Sequence, residues 1–152
     1  MKGPRSERTP DLEPSENIAD RIEKLLADDG FRTWGLLIYR CTYKRDTDWA
    51  EFLRRLNFCV RDTLERYNGL DLLESYAPIV LQDKAFDGTT LAIRDHFKQW
   101  VTTASEQEQG VPWEEAQRAE LPRYKFCVVV DEEVLQSVFS IPAPDDPTDV
   151  FQ

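Results

Sequence analysis

The sequence has few of the residues from which catalytic and metal sites are usually recognised. It contains one histidine, His96, and three widely spaced cysteines, Cys41, Cys59 and Cys127. A single histidine cannot build a multi-histidine metal site, and an odd, scattered set of cysteines matches neither a disulfide framework nor a zinc motif. No serine or cysteine has an evident base partner. We therefore expect no metal and no cofactor, a surface position for His96, and reduced cysteines typical of a cytoplasmic or nuclear protein.

Glycine-rich nucleotide loops, long apolar runs and an excess of positive charge are also missing. The six glycines are scattered, and neither GxGxxG nor GxxxxGK[ST] occurs. Those loops need glycine to bring backbone N–H groups to phosphate. No apolar run approaches the roughly 20 residues that cross a bilayer. Because the net charge is -10 and both nucleic acid and anionic membranes bind cationic surfaces, we expect neither as a partner.

What the chain does contain is enough apolar material for one globular domain. It has 152 residues, 41% of them hydrophobic, and a domain of this size buries about 68–70% of its unfolded surface. Residues 1–14 mix prolines with charges of both signs, which predicts a disordered lead. Residues 141–152 carry three prolines and three aspartates, which predicts a disordered acidic tail. The folded domain is expected between them, at 15–140.

Hydrophobic periodicity predicts that helices and strands alternate along this domain in the order α-β-α-β-α-β-α. Apolar runs rich in β-branched and aromatic residues predict strands at 33–43, 72–82 and 124–130. The first run is almost continuously apolar, so we expect this strand to be covered on both faces and central in its sheet. Apolar residues at helical spacing predict amphipathic helices at 15–28, with Ser15 as the cap, at 48–67 and at 90–104, and a closing helix capped by Asp131. The first helix has a narrow apolar stripe that docks on the rest of the domain or on a partner, formed by Ile18, Ile22, Leu25 and Leu26.

This alternation favours an α/β or α+β fold in which helices pack on a compact sheet of three to four strands. Right-handed crossovers would make neighbouring strands parallel. A ferredoxin-like domain is the nearest common shape, but it needs a fourth strand. That strand would lie between Val111 and Pro122, or be missing. Pro78 inside the second strand predicts an edge position or a bulge.

Phe58 breaks the pattern of the second helix. At 100° per residue it lies opposite Trp49, among charged residues that include Arg54 and Arg61. A single exposed aromatic residue is ordinary, but one surrounded by arginines resembles the anchors that dominate protein interfaces. Phe58, Arg54 and Arg61 are therefore the candidate interaction residues.

A second candidate site depends on strand direction. If the three strands are parallel, their carboxyl ends meet at one edge, where open α/β sheets bind ligands. Arg45 follows the first strand, Asp83 and Asp87 the second, and Asp131 and Glu132 the third. Convergent carboxylates could act as acid and base or bind a cation. Alternatively these are ordinary loop charges, and Asp131 is only a helix cap.

Three segments carry a resemblance. Residues 34–40 read WGLLIYR, residues 91–101 read LAIRDHFKQWV, and residues 123–131 read RYKFCVVVD. They are similar to the WGxxIYR, RxxFxxW and RYx[FY]xxxVD segments of a widespread set of small fungal proteins. The resemblance spans residues 31–139 and implies a shared fold. No activity is attached to that group, so it implies no catalytic or binding residues.

Taken together, these observations favour a soluble, non-enzymatic protein-interaction domain in the cytoplasm, with the nucleus as the other compartment. Its partner would be another protein or a second copy of the chain. The alternative is a small enzyme or a small-molecule- or metal-binding protein that uses the carboxylates at the strand ends.

Overall fold

The computed structural model describes residues 17–86 and 90–142, which form a mixed domain of α-helices and β-strands. This confirms the expected structural class. The predicted lead at 1–14, residues 143–152 of the predicted tail, and Asp87 lie outside the described residues. The α-helices are α1 (Ile18–Asp29), α2 (Asp46–Arg66), α3 (Thr90–Gln109), α4 (Trp113–Ala116) and α5 (Glu132–Phe139). No helix in this described part is both long and apolar enough to span a membrane.

Three short strands form one parallel sheet: β1 (Leu37–Arg40), β2 (Ile79–Leu81) and β3 (Cys127–Val130). Their order is β2-β1-β3, with Leu37 opposite both Ile79 and Cys127. Every residue of β1 is buried, because a helical layer covers each face of the central strand. The strand expected to be covered on both faces is thus the central one.

The second strand is shorter than the sequence predicts. Leu70–Ser75 is a 3₁₀ helix, although residues 72–75 were expected to be extended. The turn at Asn68, whose φ is 54°, directs the chain into this helix, and Ser75 Oγ donates to the carbonyl of Leu72 at 3.1 Å. An isolated parallel bridge joins Trp34 to Tyr76. Pro78 has no N–H for a ladder, and the regular strand begins after it, at Ile79.

The described residues contain no fourth strand. The segment between Val111 and Pro122, where one was considered, carries α4 instead, and a second 3₁₀ helix (Pro122–Tyr124) leads into β3. The sheet of the described part is therefore three-stranded and wholly parallel, whereas a ferredoxin-like sheet needs four strands.

The alternation of side chains along the strands gives the sheet two apolar faces. One face carries Ile38, Val128 and Val130, packed in the same cluster as residues of α2 and α5 such as Trp49 and Leu135. The opposite face carries Leu37, Tyr39, Ile79 and Cys127, packed against Ile93, Phe97 and Trp100 of α3. The sheet is therefore the middle layer of three.

Helix α1 lies at the amino ends of the strands. The side chain of Asn17 caps it by accepting from the amide of Asp20 at 2.9 Å, and Gly30 ends it in a left-handed conformation. The capping residue predicted from the sequence, Ser15, lies outside the described residues. On one side Ala19 of α1 packs with the end of α2, and on the other Leu25 packs with α3 and α4. Helix α1 thus joins two parts of the core.

Replacing Gly35 with alanine is expected to destabilise the fold more than replacing Gly30. Both have positive φ, 117° and 72°, a conformation that costs an L-residue about 1–2 kcal/mol. A Cβ on Gly35 would also lie 3.0 Å from the nitrogen of Pro78, whereas one on Gly30 would meet nothing closer than Val111 at 3.9 Å. Urea unfolding of the two variants measures the difference, and equal losses would contradict the crowding at Gly35.

Candidate functional site

The carboxyl ends of the three parallel strands meet at one edge, and the buried guanidinium of Arg40 lies among them. It is 4% exposed. Arg40 donates to the carbonyl of Thr42 at 2.8 Å, to Oε1 of Gln82 at 2.9 Å and to Oδ1 of Asp46 at 2.8 Å. The guanidinium also lies over the rings of Tyr43 and Trp49. Arg40 therefore fills the space in which a ligand of a parallel sheet would be expected.

Beside this edge, a polar cavity of about 440 Å³ brings Arg45 and Glu132 together, with Lys44, Asp48, Gln136 and Phe139 as its other lining residues. Glu132 accepts hydrogen bonds from the hydroxyl of Thr42 and from Gln136. These bonds, and then the charges of Lys44 and Arg45, lower the pKa of Glu132. Glu132 is therefore an ionised acceptor, poorly suited to deliver a proton near neutral pH.

The other two predicted carboxylates do not line this polar cavity. Oδ1 of Asp131 accepts from the amide of Val134 at 2.8 Å and caps α5, as the sequence suggested. Oδ1 of Asp83 accepts from the amide of Ala85 at 2.9 Å. Within residues 17–86 and 90–142, no three His, Cys, Asp or Glu side chains are grouped to hold a metal ion. The strand-end catalytic site therefore stays a prediction, with Arg45 and Glu132 as the pair that shares a cavity.

The predicted interaction patch differs from its sequence picture in two ways. Phe58 is half-buried rather than fully exposed, and Arg54 makes two hydrogen bonds, at 2.8 and 2.9 Å, with the carboxylate of Glu51. Arg61 is exposed. Helical periodicity does not show how much neighbouring side chains cover the ring of Phe58. An interface at Phe58 stays a prediction.

His96 was expected at the surface, but the structure gives it a buried partner. Its Nδ1 lies 2.6 Å from the hydroxyl of Tyr39, and its ring packs edge-on against Phe86. Burial raises the pKa of Tyr39, so this hydroxyl keeps its proton and needs a hydrogen-bond partner inside the protein. His96 supplies it, which is a structural role.

At the amino ends of the strands a second buried guanidinium, that of Arg123, connects four segments. Arg123 is 2% exposed. Its Nη1 donates to the carbonyls of Gly35 at 2.9 Å and Ala77 at 2.7 Å. Its Nε and Nη2 form a two-point contact with the carboxylate of Glu108, at 3.2 and 2.7 Å. The segments before β1 and β2, the end of α3 and the segment before β3 are thereby fixed to one another.

Tyr124 and Gln109 extend this buried network. The hydroxyl of Tyr124 donates to Oε1 of Glu108 at 2.8 Å and accepts from Nε2 of Gln109 at 3.0 Å. Burial raises the pKa of Tyr124 to about 12, so the phenol stays neutral. Oε1 of Gln109 accepts from the amides of Arg32 and Thr33 at 2.5 and 3.1 Å. The loop before β1 is thus held firmly by α3.

Next to this network lies an apolar cavity of about 440 Å³, here called the α1 cavity. Its walls come from α1, from α2 and from the sheet face that α2 covers. The lining residues are Ile18, Arg21, Ile22, Leu25, Trp34, Gly35, Leu36, Ile38, Phe52, Leu56, Val60, Tyr76, Pro78, Leu121, Pro122, Arg123 and Val128. Apart from the two arginines all are uncharged, and most are aliphatic or aromatic.

The α1 cavity runs from the protein surface to the core. At its outer end Ile18 is 44% exposed, while at its inner end Ile38 and Phe52 are 4% and 8% exposed. The rings of Trp34 and Tyr76 pack at 4.6 Å between centroids and form part of the wall. An apolar molecule could enter beside α1 and reach the sheet.

Sequence reasoning missed this cavity but held a partial signal for it. The apolar stripe of α1, which includes Ile18, Ile22 and Leu25, was recognised as a surface that docks on the domain or on a partner. Whether such a stripe meets its neighbour closely depends on the distance between helices, which no periodicity encodes. The stripe makes the predicted contact with the domain through Leu25 and Ile22, and the same two residues also line the cavity beside it.

No protein-family model, no curated protein and no solved structure matches this chain. The functional interpretation therefore depends on the side chains described above.

We expect Glu51, on the surface of α2, to make the free energy of unfolding of the protein depend on pH. Hydrogen bonds from Arg54 and Arg55 lower the pKa of Glu51 from 4.5 to about 2. A carboxyl group whose pKa is lowered on folding stabilises the folded state at pH values above its unfolded pKa. It loses that contribution as the pH falls through its folded pKa. We expect Glu51→Gln to be less stable at pH 7, by on the order of 1 kcal/mol because the pair is solvent-screened. The difference should disappear between pH 4.5 and 2.

Urea unfolding of both proteins across this pH range measures the effect. Asp62→Asn is the matched control, because Asp62 pairs with Arg66 on the same helix but both side chains are well exposed, at 46% and 68%. A pair of this kind contributes about 0–1 kcal/mol. A Glu51→Gln effect no larger than the Asp62→Asn effect would show that Glu51 does not engage Arg54.

Proposed function

We propose that this protein binds an apolar small molecule in the α1 cavity. The observation that carries the proposal is a cavity of about 440 Å³ whose walls are almost wholly apolar and which reaches from the surface to the sheet. Sites for small molecules in proteins are concave, mostly apolar and roughly 300–1,000 Å³ in volume. The α1 cavity has this size and this lining.

The energetics favour an occupant. Apolar surface in contact with water carries a free energy of about 25 cal/mol per Å² relative to a buried state. Side chains such as Ile22, Leu56 and Val60 line the cavity from α1 and α2. A ligand that covers them removes this surface from water, which supplies a driving force without a directional contact.

The walls are also prearranged, which keeps the cost of binding low. Gly35 and Arg123 both line the cavity, and the hydrogen bond between them, at 2.9 Å, fixes the loop before β1. Asp29 accepts from the amide of Leu121 at 2.9 Å and so holds another lining residue to the end of α1. The cavity therefore does not need to be assembled by its ligand.

The lining favours binding over catalysis. Among the described residues that form the wall there is no serine, cysteine, histidine or carboxylate, so the wall supplies no pair of nucleophile and base. Burial raises the pKa of the Tyr76 phenol, which keeps that hydroxyl neutral. The proposed small molecule would bind at the opposite end of the sheet from the carboxylates.

Binding of 1-decanol, a straight-chain uncharged alcohol, tests the proposal. Amide chemical shifts in NMR spectra should change for residues around the cavity, such as Ile22, Ile38 and Val128. Val60→Trp should weaken the binding at least tenfold, because the larger ring fills the cavity from α2. Val134→Trp is the matched control, since Val134 is 38% exposed on α5 and does not line the cavity.

Overpacking can destabilise a protein by about 1–3 kcal/mol, so the thermal unfolding midpoint of each variant is measured beside its affinity. The proposal is wrong if wild-type protein shows no shifts near the cavity. It is equally wrong if a folded Val60→Trp protein binds decanol as tightly as Val134→Trp.

A further inference from the structure

The charged side chains that line the α1 cavity, among the described residues, are both cationic. The chain contains 29 acidic and 19 basic residues, yet both charged residues in the lining are arginines, Arg21 and Arg123. No acidic side chain among the described residues forms part of the wall. In a protein with such an excess of acids, a cavity lined by cations alone favours an anionic ligand.

The two arginines differ in what already neutralises them. The guanidinium of Arg123 is buried and makes a two-point contact with Glu108 as well as bonds to two carbonyls. Arg21 is exposed, with 56% of its side chain accessible, and its Nη2 lies 3.7 Å from Oε2 of Glu120, whose side chain is 66% exposed. A pair this exposed is worth about 0–1 kcal/mol. Arg21 can therefore exchange Glu120 for the headgroup of a ligand.

The position of Arg21 on α1 fits this exchange. Ile18, Arg21, Ile22 and Leu25 all line the cavity, and their spacing of three and four residues places them on one side of a helix. The cation thus lies within the apolar stripe, close to the exposed Ile18 at the outer end. A chain lying along the stripe would extend from Arg21 inward toward Ile38 and Phe52.

Resting on the proposed function, we infer that the ligand of the α1 cavity is a single-chain anionic amphiphile. Its carboxylate, phosphate or sulfate headgroup pairs with the guanidinium of Arg21 at the mouth and displaces the carboxylate of Glu120. Its apolar chain lies against Ile22 and reaches the sheet at Ile38. The backbone of Glu120 stays in place during this exchange, because its amide donates to Oδ1 of Asp29 at 3.2 Å.

The test compares decanoate with 1-decanol, which share a chain length and differ in headgroup charge, at pH 7, where a carboxylate is ionised. Isothermal titration calorimetry measures both affinities for wild-type protein, Arg21→Gln and Glu120→Gln. Wild-type protein should prefer decanoate by about two- to fivefold, the range that an exposed ion pair supplies. Arg21→Gln should abolish this preference, so that the variant binds decanoate and decanol with equal affinity. Glu120→Gln should strengthen decanoate binding, because it removes the competing carboxylate.

The outcomes separate this inference from the proposed function. Equal binding of decanol and decanoate by wild-type protein, or a decanoate preference that survives in Arg21→Gln, would overturn the anionic headgroup and leave an apolar binding site standing. Binding of neither compound would overturn both. Preference for decanoate that weakens as sodium chloride is raised would support the ion pair, since salt screens exposed charges.

Discussion

The buried guanidinium of Arg123 is the contact on which the amino end of this sheet depends. The strands are only three or four residues long, so their ladders alone give little support. Arg123 connects carbonyls that precede β1 and β2 with a carboxylate of α3. Any other arrangement of these segments would leave a buried polar group unpaired, at a cost of about 1–3 kcal/mol. This cost restricts the segments to one arrangement.

The two ends of the sheet therefore have different characters. At the carboxyl ends, Arg40 fills the space between β1, the segment after β2 and α2 with its own guanidinium. At the amino ends, Arg123 fixes the segments before β1 and β2, and the apolar stripe of α1 borders the cavity beside them. Open parallel sheets bind ligands at their carboxyl ends as a rule. Here Arg40 occupies that end, and the apolar cavity lies at the opposite end.

The sequence predicted local features well and tertiary distances poorly. It identified β1 as a covered strand, the inward face of α2 through Trp49, and the cap at Asp131, because these follow from periodicity and local hydrogen bonding. It wrongly extended the second strand over residues 72–75, since a short apolar run does not distinguish a strand from a helical turn. Neither the buried role of Arg123 nor the α1 cavity could be predicted, because the partners of Arg123 lie 15, 46 and 88 residues away.

The most direct test of this account is the unfolding free energy of Arg123→Met, a substitution of similar length without charge. Two carbonyls lose their donor, at about 1–3 kcal/mol for each buried polar group left unpaired. The carboxylate of Glu108, whose side chain is 27% exposed, loses its partner as well, so the total is about 3–5 kcal/mol. We expect a loss in that range by urea unfolding at pH 7. A loss below about 1 kcal/mol, the level of an exposed pair, would contradict the claim that Arg123 fixes the amino end of the sheet.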